Sequence, residues 1–502
     1  MHSLFKKILT SSVYEAAVET SLDRAEILSE RFGNHILLKR EDQQPVFSFK
    51  LRGAYNKIAN LAKEDKKKGV IAASAGNHAQ GVAYAATKLG ISAVIVMPVT
   101  TPRIKIEAVK KFGGEVVLAG ENYSEAADHA FALQKESGRV FIHPFDDELV
   151  IAGQGTVADE LLRQNPGRLD AVFVPVGGGG LAAGIAVYIK TLRPEIKVLG
   201  VEPLDSDAMY QSLAKGRRIS LDSVGIFADG VAVRQVGSLT YEICHEYLDG
   251  VIRVSTDEIC GGIKAVYKST RSVVEPAGGL AMAGLLQYIR NNKCKGETLV
   301  AVNSGANMNF ERLRYVAERT LVGEQQEALF AVTIPEQAGS LKRFCHELVG
   351  GRNITEFNYR LRTREEAHIF VGISINSIKE RQAFGRSLQK AGYRSQDLTD
   401  NSLAKTHIRY MVGGHSEQVK NERLFRFWFP ETPGALTRFL DAIQVNCNIS
   451  LFHYRAQGGD FGRVLIGLEL EKGSDQELHD RLDKLGYRYH EETDNPVYGL
   501  FL

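Results

Sequence analysis

The segment Val174-Pro175-Val176-Gly177-Gly178-Gly179-Gly180-Leu181-Ala182-Ala183-Gly184 joins an apolar run to a helical stretch through four consecutive glycines. Before it, Ala171-Val172-Phe173-Val174 reads as a buried strand; after it come a helix over Leu181 to Leu192 and a strand over Lys197 to Val201. The same rhythm runs upstream: strand Val70 to Ala73, helix Ala79 to Leu89, strand Ala93 to Met97, helix Arg103 to Phe112, strand Glu115 to Leu118. Near-continuous apolar strands separated by helices predict parallel sheets covered on both faces, an α/β fold. Ligands of such sheets bind at the carboxyl ends of the strands. A bare strand–helix turn needs one or two glycines, whereas four let successive N–H groups converge on phosphate oxygens.

Around this segment lie 502 residues, too many for one hydrophobic core. With 44% hydrophobic and 24% charged residues the chain has the balance of a globular protein. A net charge of +2 gives no field to draw nucleic acid or an anionic membrane. No apolar run reaches the roughly 18 residues of a membrane span. Met1-His2-Ser3-Leu4-Phe5-Lys6-Lys7 lacks the apolar centre of a secretory signal. Cys244, Cys260, Cys294, Cys345 and Cys447 are scattered with no Cys-x-x-Cys, which argues against a disulfide scaffold and a cysteine-ligated zinc. The expectation is a reduced, cytoplasmic protein without a structural metal.

Beyond about residue 328 the chain repeats itself. Ile334-Pro335-Glu336-Gln337-Ala338-Gly339-Ser340-Leu341 returns as Phe429-Pro430-Glu431-Thr432-Pro433-Gly434-Ala435-Leu436, an offset of 430 − 335 = 95 residues. Asn353 to Arg360 matches Asn448 to Arg455, and Val371 to Ile375 matches Ile466 to Leu470, in the same register. The first copy reads as strand Leu329 to Ile334, helix Ser340 to Val349, strands Asn353 to Arg360 and His368 to Ile375, helix Lys379 to Ala391 and strand Tyr393 to Leu398. That order is the βαββαβ, ferredoxin-like unit. The expected domains are 1–320, 328–400 and 423–495, with Glu318 to Glu327 as linker.

Two further segments could carry chemistry. In Ser48-Phe49-Lys50-Leu51-Arg52-Gly53 a lysine beside an aromatic ring would, if buried, have a lowered pKa and a free amine able to form a Schiff base. A snorkelling surface lysine is the plainer alternative. Ser74-Ala75-Gly76-Asn77-His78-Ala79-Gln80-Gly81 lies between a strand and a helix, where free amides suit a carboxylate. His78 reads as structural rather than as a base. Gly177-x-Gly179-x-x-Ala182, with Glu202 at the end of the next strand, also fits a dinucleotide fingerprint and a nicotinamide oxidoreductase. That alternative leaves the lysine and asparagine segments idle.

In this order, the lysine segment, the asparagine loop, the glycine loop and Val302-Asn303-Ser304-Gly305-Ala306-Asn307 resemble the fold-type II pyridoxal-phosphate enzymes, most closely the threonine dehydratases. The duplicated C-terminal region resembles their paired ACT-like regulatory domains. The resemblance implies two parallel-sheet subdomains carrying pyridoxal 5'-phosphate. Lys50 would hold the cofactor and move the α-proton, Phe49 would pack beside the ring, and Asn77 would bond its hydroxyl. Gly177, Gly178, Gly179, Gly180 and Leu181 would cradle the phosphate, and Ser304 would face the pyridine nitrogen. Ser74, Ala75, Gly76, Asn77 and His78 would receive the substrate carboxylate. It further implies conversion of L-threonine to 2-oxobutanoate and ammonia, with L-serine as a second substrate, as the first step of isoleucine biosynthesis. Inhibition by isoleucine, opposition by valine and a homotetramer follow from the same likeness. Ala75 replaces the second serine of serine racemases, which weakens a racemase reading. Another lyase of this fold, such as a serine dehydratase, is the nearest alternative; a pure amino-acid sensor fits poorly with the retained Lys50.

Overall fold

The computed structural model describes residues 2–495 except 226, 311, 324–325, 338, 350–351, 362–364, 407, 409–412, 414–415, 417, 431–434, 444–446, 456–460 and 471–474. The chain divides into two compact units, 1–323 and 324–502.

Among the described residues the first unit holds ten strands: β1 (Leu22–Arg24), β2 (His35–Arg40), β3 (Val70–Ala73), β4 (Ala93–Met97), β5 (Glu115–Leu118), β6 (Val140–Phe141), β7 (Ala171–Pro175), β8 (Lys197–Pro203), β9 (Gly250–Val254) and β10 (Thr298–Asn303). They form a six-stranded sheet in the order β1-β2-β10-β7-β8-β9 and a four-stranded sheet in the order β5-β4-β3-β6. Every pairing is parallel except that of β1 with β2. All residues of β3, β4, β7 and β10 are buried, the result of apolar runs covered on both faces. Helix Asn77–Lys88 starts two residues before the expected Ala79, so His78 lies inside its first turn. Three of the segments singled out by sequence follow the carboxyl ends of β3, β7 and β10.

Glycines decide how closely the helices meet. Helix Lys50–Ala59 touches helix Glu148–Gln164 at Gly53 and Gly153, where an added Cβ would lie 2.7 Å from Val150 O and 2.6 Å from Arg52 O respectively. Gly81 likewise lets helix Asn77–Lys88 rest on the backbone of Lys50 and Leu51.

The second unit contains β11 (Glu327–Pro335), β12 (Ile354–Arg360), β13 (Glu366–Ser374), β14 (Arg394–Asp397), β15 (Glu422–Pro430), β16 (Cys447–Arg455), β17 (Phe461–Leu470) and β18 (Tyr489–Glu491). Each repeat has the βαββαβ order, its helices being Ser340–Phe344 and Ile378–Lys390 in the first, Ala435–Ala442 and Asp475–Leu485 in the second. The expected helix Ser340 to Val349 is α-helical only to Phe344 and widens to π geometry over Cys345–Val349. The two four-stranded halves join edge to edge through antiparallel β12 and β16 into one eight-stranded sheet. Buried Phe330, Phe344 and Phe357 recur as buried Phe425, Phe439 and Phe452. Phe357 and Phe452 meet edge to face across the join, their centroids 5.3 Å apart.

The linker is shorter than expected. Helix Arg312–Gly323 runs through most of Glu318 to Glu327, and Glu327 already opens β11. Its polar surface conceals an anchored face: Val316 is buried in the core of the first unit, and Arg319 pairs with Asp257 at 2.6 Å.

Candidate active site

Lys50 is the first residue of helix Lys50–Ala59, next to Phe49. Its Nζ donates to Pro144 O at 2.9 Å and lies 5.2 Å from the Phe49 ring centroid. Burial pushes its pKa down to about 8, against a smaller upward pull from Glu275. A substantial fraction of neutral amine near pH 8 separates this residue from a snorkelling surface lysine.

The glycine turn offers a complementary feature. Val176 N–H goes to Val201 O and Ala183 N–H to Gly179 O. Between them, the N–H groups of Gly177 through Ala182 have no acceptor among the described residues, although Gly178, Gly179, Gly180 and Leu181 are buried. Buried N–H groups are seldom left so, and a row of them at a helix start fits an anion such as a phosphate. Side chains could not be accommodated here. A Cβ at Gly177 would sit 2.9 Å from Val231 Cα, and one at Gly178 would enter the Phe145 ring. Gly179 adopts φ +96°, a left-handed conformation that side chains disfavour. Consecutive residues connect the turn to the lysine: Pro144 accepts from Lys50, and Phe145 packs on Gly178 and Gly180.

The segment after β10 is bound to the lysine segment. Phe49 N–H donates to Ser304 O at 3.2 Å, Ser48 bridges Gly305, and Ala306 N–H donates to Phe47 O at 2.9 Å. Ser304 is buried, and its hydroxyl donates to Ala277 O at 3.1 Å.

In the asparagine loop, Ser74 Oγ accepts from Gly76 N–H at 3.2 Å, and Gly76 faces open space. Asn77 is held from both sides: its Nδ2 donates to Glu275 Oε1 at 2.5 Å, and its Oδ1 accepts from Asn307 Nδ2 at 2.7 Å. This fixes the direction of the amide and leaves one Nδ2 hydrogen for a further acceptor. His78 Nε2 faces Ile142 O at 2.8 Å, and burial pushes its pKa down to about 3. A neutral ring tied to a backbone carbonyl anchors the helix rather than serving as a base. Ala75 is part-buried beside it.

Sequence reasoning did not single out Glu275 or Pro144, and quoted Asn307 within the segment after β10 without giving it a role. Burial, then Asp229, pushes the Glu275 carboxyl up to about 7. Its only local signal was its place before Pro276, at the start of helix Pro276–Asn292. Glu202 is not available to a ribose as the dinucleotide alternative requires. It is buried and accepts from Met209 N–H at 2.9 Å and Tyr210 N–H at 2.8 Å.

Residues 13–305 match the family described as pyridoxal-phosphate dependent enzyme. Residues 318–408 and 413–502 each match the C-terminal regulatory domain of threonine dehydratase. The chain is 56% identical over 504 residues to the biosynthetic L-threonine dehydratase of Burkholderia multivorans, covering 100% of this chain and 99% of that protein. It is 51% identical over 498 residues to that of Escherichia coli, covering 99% and 96%. Among solved structures, the processed threonine deaminase isoform 2 of Solanum lycopersicum matches with a TM-score of 0.62 and 50% identity, over 63% of this chain and 92% of that one. Maize serine racemase matches at 0.59 and 32%, over 64% and 97%. The chain belongs to the biosynthetic threonine dehydratases, a family of pyridoxal-phosphate dependent enzymes.

Proposed function

We infer that the first unit converts L-threonine to 2-oxobutanoate and ammonia, and L-serine to pyruvate, at the meeting point of Lys50, the asparagine loop and the glycine turn. The observation that carries this reading is a part-buried lysine with a lowered pKa joined through Pro144 and Phe145 to a turn of acceptorless N–H groups. Those residues fit pyridoxal 5'-phosphate: an amine for its aldehyde and a cradle for its phosphate. When bound, the cofactor supplies an electron sink that acidifies the substrate Cα–H and lets the β-hydroxyl leave.

The chain's own residues do the rest. Gly177 to Leu181 would hold the phosphate by backbone N–H groups, and Phe49 would pack beside the ring. Asn77, with one Nδ2 hydrogen free, would bond the ring hydroxyl, and Ser304 would face the pyridine nitrogen. Ser74 to His78 receive the substrate carboxylate. The Lys50 amine, neutral in part near pH 8, takes the proton from Cα. The eliminated enamine then loses ammonia in water to give the 2-oxo acid.

The second unit supplies regulation, residues 328–400 and 423–495 acting as ACT-like domains that bind isoleucine, with valine opposing it. Gly339, at φ +86°, ends the first Pro-x-x-x-Gly turn just before helix Ser340–Phe344, while 431–434 of the second turn lie outside the described residues. No helix among the described residues is long and apolar enough to cross a membrane. Cytoplasmic location and a homotetramer complete the proposal. The test is 2-oxobutanoate release from L-threonine by the full chain. Release should depend on added cofactor and vanish in Lys50→Ala without loss of melting temperature. Turnover by that variant at the parent rate would remove the mechanism.

A further inference from the structure

The direction of the glycine turn is set by a helix that no motif marked. Thr240 Oγ1 donates to Gly178 O at 2.6 Å, a buried bond, and Gly237 N–H reaches the same carbonyl at 3.4 Å. One turn further along helix Ser238–Tyr247, the Cys244 thiol lies 3.9 Å from Gly179 O. In a planar trans peptide the C=O and the following N–H point in opposite directions. Holding the Gly178 and Gly179 carbonyls toward this helix therefore turns the N–H groups of Gly179 and Gly180 away from it. These are two of the buried N–H groups that have no acceptor. The fit is close enough that a Cβ on Gly179 would lie 2.9 Å from Thr240 Cβ.

The helix is itself anchored. Asp146 accepts the N–H groups of Ser238 at 2.9 Å, Leu239 at 2.9 Å and Thr240 at 3.2 Å. Asp146 follows Pro144 and Phe145, the residues that meet Lys50 and the glycine turn. His143 Nδ1 accepts from Phe145 N–H at 3.3 Å and Asp146 N–H at 2.7 Å, fixing the bend of this short strap.

We propose that Thr240 is a positioning residue for phosphate recognition, aiming the amide of Gly179 at the cofactor's phosphate through its bond to the Gly178 carbonyl. The proposal rests on the glycine turn being the phosphate cradle. Without the Thr240 hydroxyl the Gly178–Gly179 peptide keeps only the long contact from Gly237 N–H, and its amide is held less firmly toward the phosphate while the rest of the pocket stays intact.

The test compares dissociation constants of pyridoxal 5'-phosphate and of pyridoxal, which lacks the phosphate, for the full-length chain freed of cofactor. Thr240→Val keeps the shape and removes the donor. It should weaken pyridoxal 5'-phosphate by about tenfold, the scale of one buried hydrogen bond, and leave pyridoxal unchanged. Thr240→Ser should restore the phosphate preference to within about twofold. Unchanged pyridoxal 5'-phosphate affinity in the valine variant overturns the proposal, as does an equal loss for both ligands, which would mean general loosening. Thr240→Ala is read in the same way if valine prevents folding; failure of both to fold makes Thr240 a packing residue and also overturns it. A parent chain that binds both ligands equally would instead overturn the cradle reading itself.

Discussion

At the scale of the residue, the account turns on Lys50, whose amine burial holds near pKa 8 rather than the usual value of about 10.4. Below that pH the amine is protonated and cannot attack an aldehyde; above it the neutral form dominates. Capture of pyridoxal 5'-phosphate by the cofactor-free protein should therefore accelerate as pH rises through about 8, read by stopped-flow absorbance. A rise only near pH 10 would contradict the burial. Gly178→Asp should weaken cofactor binding by at least tenfold in an equilibrium titration, because its side chain meets Phe145 and its charge repels phosphate. Lys50, Asn77 and the four glycines were legible because their chemistry is local: an amine beside an aromatic, an amide after a strand, a run without side chains. Glu275 was not, nor was the role of Asn307, since they act on Asn77 from 198 and 230 residues away. Spacing along the chain carries no trace of such a contact.

At the scale of the element, a buried ion network sets where the lysine helix sits. Arg52 bonds Glu41 at 2.7 and 2.8 Å and Glu160 at 2.6 and 2.9 Å, and Lys39 bonds Glu160 at 2.6 Å, with all four side chains fully buried. The network ties helix Lys50–Ala59 to helix Glu148–Gln164 and to the residues at the end of β2. Removing one member strands the others, so Glu160→Ala should cost about 3–5 kcal/mol of stability, measured by denaturant unfolding. Glu107→Ala removes the exposed pair with Arg103 and should change stability by less than about 1 kcal/mol. Equal effects would contradict the network's role. Strands β3 and β4 fall on the residues their apolar runs indicated, because burial on both faces leaves little ambiguity. Glu318 to Gly323, the end of helix Arg312–Gly323, was read as linker because it is polar; the helix's buried apolar anchor, Val316, precedes that stretch.

At the scale of the whole molecule, the duplication was visible in sequence as a repeat at an offset of 95 residues, and among the described residues each copy has the βαββαβ order the pattern indicated. The join of β12 to β16 was not visible, because strand alternation does not reveal which edge a strand will meet. A chain ending at Gly323 should keep threonine turnover and lose its response to isoleucine, whereas the full chain should show sigmoidal kinetics in its presence. A coupling of about 1–3 kcal/mol corresponds to a roughly 5- to 150-fold shift in threonine affinity, measured by steady-state rates. Equal sensitivity of both chains would contradict the division of labour. The most direct test of the central claim is to reduce the full-length, cofactor-loaded protein with borohydride and map the modified peptide by mass spectrometry. The account predicts a single pyridoxyl group on Lys50, with threonine turnover abolished in proportion to its incorporation. A pyridoxyl group on any other lysine, or full turnover after complete reduction, would contradict it.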